Sequence, residues 1–460
     1  TKDVTDLLAK RTKELKEATA LGSASAPYDL STKGGSVSRS TANSYLISAP
    51  GVYRIPLVYG NAIKNGATNS NAYISHAPTG TSNERYVLRN FQDHAGNPIT
   101  DPWIEKTHGG ANAGVDGAEL VWADAANLVH LSSTPIKHDG GDAFLEFEVK
   151  ASDIQSGNAV VAVKKGGTIV WSWHLWFAPK DALDKIKVTN HQNVDYYFTK
   201  EALGWKPTQW SGSTYSSART VKVKVEQTVA NNSTKEVSKF TITQNPGSVK
   251  TGATTLYQFG RKDAFPGVAT ADIKQGSITE NAGDNMSIQN GIQNPGNFYT
   301  DGGSWYNFPP AGYTCYNFWS ADNTVTGGND NSVVKTVYDP CPVGFKMPAS
   351  NAFTGFTANG QDFGPMNVDG TNDEQTYQNN FGHNFWTNGS KTATINFPAS
   401  GWRNSNGSLG NVGDNGFYWP AVPKGTTLGC ELSFASVFVC PLNFGYIFRS
   451  SGFAVRPVSE

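Results

Sequence analysis

The stretch Thr168-Ile-Val-Trp-Ser-Trp-His-Leu-Trp-Phe177 contains three tryptophans within six residues and follows Ala159-Val-Val-Ala-Val163 after the turn residues Lys164-Lys-Gly-Gly167. Two apolar runs joined by a short connection that bears glycine are typical of a β-hairpin. Alternate residues of the second strand point to opposite faces of the sheet. We interpret its aromatic side chains as the core of a β-sandwich and His174 as a hydrogen-bonded strand residue; a carbohydrate-stacking platform is the weaker alternative.

The composition of the 460-residue chain also favours a β-rich protein. Only 16% of the residues are charged, 12% are aromatic, and glycine occurs 48 times. This combination fits many short strands joined by tight turns, and we expect an extracellular protein. The chain opens with charged residues and shows no signal peptide, so the leader of an exported protein would have been removed or would lie outside the given sequence. The 37 basic and 38 acidic residues nearly balance, which argues against a nucleic-acid partner. No apolar run approaches the ~20 residues of a membrane helix, so no transmembrane segment is expected.

Changes in residue pattern along the chain predict four parts. Residues 1–22 show helical spacing of apolar residues and are predicted as an N-terminal helix. Residues 23–180 are predicted as a β-sandwich, and residues 181–250 as a smaller β segment or second sandwich part. In that segment Val221-Lys-Val-Lys-Val225 alternates, and we expect its lysines to be solvated. Residues 251–460 are rich in Gly, Asn and aromatic residues and form the last part.

All four cysteines lie in the last part of the chain. Their even number predicts two disulfides with three possible connectivities, and buried thiols that serve as small hydrophobic residues are an equally weighted alternative. Without a Cys-x2-Cys pair, the sequence does not indicate a zinc site. The disulfide candidates are Cys315, Cys341, Cys430 and Cys440.

The sequence carries few motifs of known enzymes. A Gly-rich phosphate loop, a Gly-x-Ser-x-Gly elbow and a His-Glu-x-x-His helix are all missing from the sequence. Asp369-Gly-Thr-Asn-Asp-Glu374 could gather oxygens around Ca²⁺, but it lacks the alternating Asp spacing of known loops, so we interpret it as a loop without a metal. No catalytic residue, metal or cofactor is predicted.

The last part resembles a known family. Val337-Tyr-Asp-Pro-Cys-Pro-Val-Gly-Phe-Lys-Met-Pro348 is similar to the signature of the Fibrobacter succinogenes major paralogous domain. Pro398-Ala-Ser-Gly-Trp-Arg403, Gly416-Phe-Tyr-Trp419 and Arg449-Ser-Ser-Gly-Phe-Ala-Val-Arg456 resemble later segments of that family, in the same order. The resemblance implies a C-terminal α+β domain with a C-type-lectin-like fold. Pro457 stands where family members often carry Cys, so Cys341 lacks the partner that the resemblance implies, and Cys315 and Cys440 are the candidate partners that remain.

The N-terminal half resembles fimbrillin-type surface proteins of Bacteroidetes. The similarity rests on Ala49-Pro-Gly-Val-Tyr-Arg-Ile-Pro-Leu-Val-Tyr-Gly-Asn-Ala-Ile-Lys-Asn65 and on the Trp171–Phe177 strand. Together the two resemblances imply a mainly β architecture in which N-terminal sandwich domains precede a lectin-like head. They further imply a location on the bacterial cell surface, at the outer membrane or on a pilus, with pilus subunits as partners.

From these patterns we predict a non-enzymatic adhesin, placed on the cell surface or at a pilus tip, whose head binds a glycan or a protein. Aromatic faces and amides in Gly/Asn-rich loops suit such ligands, because they stack on sugar rings or anchor in protein grooves. The rival prediction is an extracellular enzyme on the same scaffold, either a formylglycine-generating-type oxidase or a polysaccharide hydrolase. The oxidase needs a close reactive cysteine pair, whereas Cys430 and Cys440 flank a predicted strand, Glu431–Val439. The predicted ligand-binding residues are Trp305, Tyr306, Trp319, Trp386 and Asn388.

Overall fold

The fold is mainly β, as predicted. The structure is a computed structural model that describes residues 7–208, 219–229, 234–244, 251–300, 314–370, 373–443, 445 and 447–460. Its helices are α1 Leu7–Glu17, α2 Thr107–Gly110, α3 Ile288–Gln293 and α4 Glu374–Asn380, with 3₁₀ turns at Ser70–Ala72, Glu84–Tyr86, Lys180–Leu183, Thr270–Asp272 and Ser350–Phe356.

Strands make up most of the regular structure. Those before residue 251 are β1 Tyr28–Asp29, β2 Ser44–Ile47, β3 Gly51–Pro56, β4 Ile63–Lys64, β5 Ala67–Thr68, β6 Gly117–Ala123, β7 Ile136–Asp139, β8 Asp142–Val149, β9 Gly157–Lys165, β10 Thr168–Phe177, β11 Lys185–Thr189, β12 Asp195–Thr199, β13 Lys206–Pro207, β14 Arg219–Glu226 and β15 Val237–Gln244. Those after it are β16 Gly252–Ala253, β17 Thr255–Gln258, β18 Phe265–Pro266, β19 Gln275–Gly276, β20 Phe345–Lys346, β21 Gly382–Trp386, β22 Thr394–Pro398, β23 Trp402–Arg403, β24 Leu409–Gly410, β25 Gly416–Tyr418, β26 Glu431–Ala435, β27 Phe438–Asn443, β28 Gly452–Ala454 and β29 Val458–Ser459.

Helix α1 lies within the predicted N-terminal helix but is shorter than residues 1–22. It ends at Glu17, and Leu21 already pairs with Gly51 in a β-bridge; residues 1–6 lie outside the described residues. The buried Arg11 guanidinium donates two hydrogen bonds to the Glu201 carboxylate, at 2.6 and 3.0 Å, so the helix is docked on the body of the protein.

Two sheets form the N-terminal sandwich. One has the strand order β1-β3-β8-β7, and the other has the order β19-β6-β9-β10-β2. The predicted hairpin is β9–β10, in which Trp173 is opposite Val161. Trp171, Trp173 and Trp176 are all at most 1% exposed, which confirms that this strand is part of the core.

The five-stranded sheet is also covered on its second face. There Ser172 Oγ donates to the Asp263 carboxylate at 3.0 Å, and His174 Nδ1 lies 3.2 Å from Tyr257 Oη. Strand β19 adds to the edge of the same sheet at β6. Because both faces of β10 are packed, the strand carries apolar residues at nearly every position instead of a clean alternation.

Hydrogen-bonded strands cross the predicted boundary near residue 250. Strands β11 and β12 share a four-stranded sheet with β29 and β20 from the end of the chain, in the order β11-β12-β29-β20. Strand β13 likewise pairs with β16. We call residues 251–460 the C-terminal unit. The predicted segment 181–250 is divided in the structure: the part up to residue 208 pairs with strands of the C-terminal unit, and β14 and β15 form a separate hairpin.

The main sheet of the C-terminal unit has the strand order β18-β17-β28-β25-β26-β27, with β23 and β24 attached at β28. Short helices α3 and α4 accompany it. Arg456 is fully buried, and its guanidinium donates to the backbone carbonyls of Thr199, Lys200 and Asn396. The predicted strand Glu431–Val439 is wrong, because the chain turns between β26 and β27 and Ala435 pairs with Phe438.

Candidate functional site

The predicted ligand-binding residues do not form one site. Trp305 and Tyr306 lie outside the described residues. Trp319 is fully buried, its indole N–H donates to the Tyr338 carbonyl at 3.1 Å, and its ring lies 4.8 Å from that of Phe259. With no exposed surface, Trp319 cannot contact a ligand in this structure, and we correct its assignment to a core residue.

Trp386 and Asn388 lie together at the end of β21, and both are half-buried. The Asn388 side-chain oxygen is buried and has no hydrogen-bond partner among the described residues. The neighbouring Phe385 belongs to a hydrophobic cluster different from the one that holds Trp319. These two residues therefore remain candidates for ligand contact, separate from Trp319.

The predicted disulfides are not present in the structure, although all four cysteines lie within the described residues and are buried. Cys440 is opposite Ser433 in the β26–β27 pair. Cys430 is three residues before Ser433, about 10 Å along an extended strand, which exceeds the ~7 Å Cα separation that a disulfide can bridge. Burial raises the pKa of the Cys315 and Cys440 thiols to about 11 and the pKa of the Cys341 and Cys430 thiols well above the ordinary value.

A cavity of about 900 Å³ lies at the open side of the sandwich, and we call it the groove. It lies where β1 and β2 are the terminal strands of their sheets. Residues 342–345 of the C-terminal unit form a further wall, through Pro342, Val343 and Phe345. The sequence signals are local, whereas the groove is assembled from segments about 300 residues apart, so sequence analysis missed it.

The lining of the groove combines apolar side chains with serines and lysines. Three lysines, Lys33, Lys180 and Lys185, line it with exposed side chains, and no Asp or Glu is found among its lining residues. Lys185 Nζ lies 5.7 Å from the centre of the Phe345 ring. The aliphatic and Phe side chains that cover its floor and walls include Leu21, Leu30, Leu46, Leu183, Val343 and Phe345.

Strand β2 presents an open edge to the groove. In a parallel pair, alternate residues direct their backbone groups to the partner strand. The Asn43 and Ile47 carbonyls accept from His174 and Ala178 on the β10 side, at 2.8 and 3.2 Å. Odd-numbered residues of this segment therefore face β10. Leu46 is even-numbered, so its N–H and C=O point away from β10, on the side of the groove. Among the described residues, the chain at Pro342 pairs with β2 at its first residue, Ser44, and no strand pairs with β2 at Leu46 on that side.

Strand β1 is less open than β2. The Asp29 carbonyl accepts from the N–H groups of Thr32 and Gly34, so a turn occupies the backbone of this edge. Its carboxylate is held by Arg39 and Arg54, at 3.1 and 3.4 Å. An extended segment in the groove would therefore find its backbone partners on β2.

The histidine of the tryptophan-rich strand has a structural role, as predicted. His174 is buried, its Nε2 lies 2.9 Å from the Asn158 side-chain oxygen, and burial lowers its pKa to about 3. It is therefore neutral at physiological pH. Among the described residues, no three His, Cys, Asp or Glu side chains are grouped closely enough to hold a metal ion.

Comparisons with known family models, curated proteins and solved structures found no match to this chain. Within the described part of the chain, no helix combines the length and the apolar character that crossing a membrane requires.

Proposed function

We propose that this chain is a non-enzymatic surface protein that holds an extended segment of a partner protein in the groove, as a subunit of a bacterial adhesive assembly. The observation that carries the proposal is the open edge of β2 at Leu46, which lies beside a groove of about 900 Å³ lined by aliphatic and aromatic side chains, serines and lysines. Exposed sheet edges are ordinarily blocked by charges, bulges or covering chain, because they invite pairing with other strands. Here the backbone of Leu46 faces the groove, and the lysines that line the groove leave room for an acidic strand.

In strand addition, an extended segment of a partner pairs with the exposed edge of a sheet. The open edge of β2 and the groove beside it would both contribute to such binding. Main-chain hydrogen bonds to β2 would supply affinity, and alternate side chains of the added strand would enter the groove and supply specificity. The groove volume lies at the upper end of the ~300–1,000 Å³ typical of binding pockets. The lysines at the rim favour acidic residues on the outward face of the added strand. A pilus subunit or another surface protein can supply such a segment.

The C-terminal unit is proposed as the adhesive head, in keeping with its resemblance to lectin-like domains. The half-buried Trp386 and the unpartnered oxygen of Asn388 support a neutral glycan or a protein as its ligand. Binding there would depend on an aromatic face and an amide, and little on ionic strength.

The cysteine environments do not favour the rival oxidase. A reactive cysteine is a thiolate held by a positive environment that lowers its pKa. Burial instead raises the pKa of each of the four thiols. The raised pKa values support a packing role for the cysteines.

A peptide probe tests the groove. The probe is a fluorescein-labelled eight-residue peptide that alternates Val and Glu, and fluorescence anisotropy measures its binding to the full chain. We expect saturable binding, and at least ~10-fold weaker binding by Leu46→Glu, which places a charge in the groove. Val437→Glu is the matched control, because Val437 is 76% exposed on the β26–β27 turn.

Two further probes separate strand addition from simple apolar contact. A peptide of the same composition with four Val followed by four Glu has no alternation. A peptide N-methylated at every second residue keeps its side chains but loses the donors that would pair with β2. We expect both to bind weakly. Equal binding of all three peptides, or unchanged affinity in a folded Leu46→Glu variant, would refute strand addition.

A further inference from the structure

Strands β14 and β15 form a two-stranded hairpin, which we call the lysine hairpin, with apolar side chains left in solvent. The strands pair in register from Arg219 opposite Gln244 to Glu226 opposite Val237. Val221 is opposite Ile242, and Val223 is opposite Phe240, so these side chains share one face. Val221, Phe240 and Ile242 are 62%, 51% and 56% exposed.

The opposite face of the lysine hairpin is cationic. Lys222, Lys224 and Lys239 alternate with the apolar residues and point to that side. Lys224 forms an ion pair with Glu226. The described residues 219–229 and 234–244 carry five basic and two acidic residues, a net charge of +3, in a chain whose net charge is −1. The solvated lysines match the sequence prediction, but the apolar face is also exposed.

An exposed apolar face of this kind marks an interaction surface. An isolated two-stranded hairpin is at best marginally stable in water, and a third strand or a packing partner normally stabilises it. Contiguous exposed apolar patches are uncommon on soluble proteins except at binding sites. Within the described residues, neither strand of the lysine hairpin pairs with a third strand, so no described strand occupies either of its outer edges.

We infer that the lysine hairpin docks into a partner protein that presents an open sheet edge over an apolar surface, with acidic residues facing the lysines. Charge complementarity selects acidic residues, because three lysines lie on one face. The outer edges select a sheet, because each presents strand backbone over about 27 Å that no other strand among the described residues pairs with. This inference rests on β14 and β15 alone and does not depend on the function proposed for the groove.

The groove of a second copy does not fit as the acceptor. The groove carries Lys33, Lys180 and Lys185 and no carboxylate among its lining residues, so the cationic face of the hairpin would be repelled. Face-to-face packing of two lysine hairpins would bury only about 550 Å² in total, about half of the ~1,200 Å² at the low end of stable interfaces. A partner that encloses both faces and one edge would bury about 700 Å² of the hairpin, close to the ~800 Å² per partner of a standard interface.

The test uses the full chain and a designed acidic probe. The probe is a labelled peptide hairpin with Val and Ile on one face and Glu on the other, and its binding is followed by fluorescence anisotropy. We expect saturable binding that weakens as salt is added. The double variant Phe240→Ser/Ile242→Ser should bind at least ~10-fold more weakly and keep its fold, because both side chains are more than half exposed.

Three controls keep the result interpretable. Val437→Ser changes an exposed apolar residue elsewhere and should bind like wild type. The hairpin variants are compared in a Leu46→Glu background, because each strand of the probe alternates Val or Ile with Glu and would also suit the groove; the effect of Phe240→Ser/Ile242→Ser should persist in that background. Lys222→Glu/Lys239→Glu should weaken binding and reduce its dependence on salt.

Several outcomes would overturn the inference. These are no binding of the probe by the wild-type chain, equal binding by the Phe240→Ser/Ile242→Ser variant, and a self-associated wild type that these substitutions make monomeric in sedimentation equilibrium. Co-sedimentation with phosphatidylglycerol vesicles that the same substitutions abolish would assign the hairpin to a lipid surface instead.

Discussion

Glu431 should make the protein less stable as the pH rises, and Glu431→Gln should remove most of that dependence. Glu431 is buried in β26, its Oε1 accepts from Asn443 at 3.0 Å, and its Oε2 has no partner among the described residues. Burial, assisted by the charge of Asp362, raises its pKa from the ordinary 4.5 to about 8. The carboxyl is therefore protonated in the folded state at neutral pH.

The sign of the effect follows from proton binding. Between pH 4.5 and about 8 the unfolded chain has lost the Glu431 proton and the folded chain retains it, so the free energy of unfolding falls as the pH rises. Each pKa unit corresponds to about 1.4 kcal/mol, so the largest possible loss across this window is about 5 kcal/mol. Asp362 has its pKa raised by burial and contributes with the same sign from lower pH, while Cys430 and Cys440 lie close by and stay protonated.

Urea unfolding followed by tryptophan fluorescence at pH 5, 6, 7 and 8 measures this dependence at constant ionic strength. Wild type should lose stability steadily over the series, and Glu431→Gln should lose much less. Glu374→Gln is the control: the pKa of this exposed residue is lowered by Ser436 and Gln378, so it is ionised throughout the series in both states. Identical slopes for wild type and Glu431→Gln would show that Glu431 does not titrate in this range.

Three further predictions concern stability and cysteine reactivity. Trp319→Ala should reduce the free energy of unfolding by about 3–5 kcal/mol, whereas Val437→Ala on an exposed turn should change it by less than about 0.5; equal effects in urea unfolding would contradict the assignment of Trp319 to the core. Arg456→Lys should destabilise by about 2–5 kcal/mol, because the compact lysine ammonium cannot reproduce the planar spread of guanidinium donors to the carbonyls of Thr199, Lys200 and Asn396; a thermal midpoint equal to wild type would argue against this network. All four cysteines should resist iodoacetamide in the folded protein and react after denaturation without reductant, and mass spectrometry that finds intact disulfides would restore the sequence prediction.

Features that depend on local pattern could be predicted from the sequence. The hairpin β9–β10 is recognised because two apolar runs meet at a Gly-bearing turn. Its burial on both faces could not be predicted, because residues 257–263 supply the second cover from a distant part of the chain. The turn between β26 and β27 is not predicted, because Ser436-Val437 offers only serine, a weak turn-former, and none of the stronger Gly, Pro, Asn or Asp signals.

In the candidate sites, too, local sequence pattern predicts the elements but not their exposure in the folded protein. Trp319 is predicted as a ligand contact because it lies in a loop-like stretch rich in Gly and Asn. That composition does not distinguish an exposed loop from one that folds back into the core, where Trp319 is buried. The alternation of Val221–Val225 predicts a strand with solvated lysines, and nothing in that pattern indicates that its apolar face is also exposed. The groove depends on the ends of two sheets and on residues 342–345, so only the assembled fold reveals it.

The location of the groove has a consequence for how force would pass through the molecule. Its walls come from the sandwich and from Val343 and Phe345 of the C-terminal unit, so a strand added at β2 would contact both parts at once. Phe345 belongs to β20, which pairs with the terminal strand β29, and β29 pairs with β12. Tension applied to the added strand would therefore be shared between the sandwich and the four-stranded sheet β11-β12-β29-β20. This sharing of force would suit the adhesive subunit proposed above, because the partner segment would be attached to both parts instead of to a single edge strand.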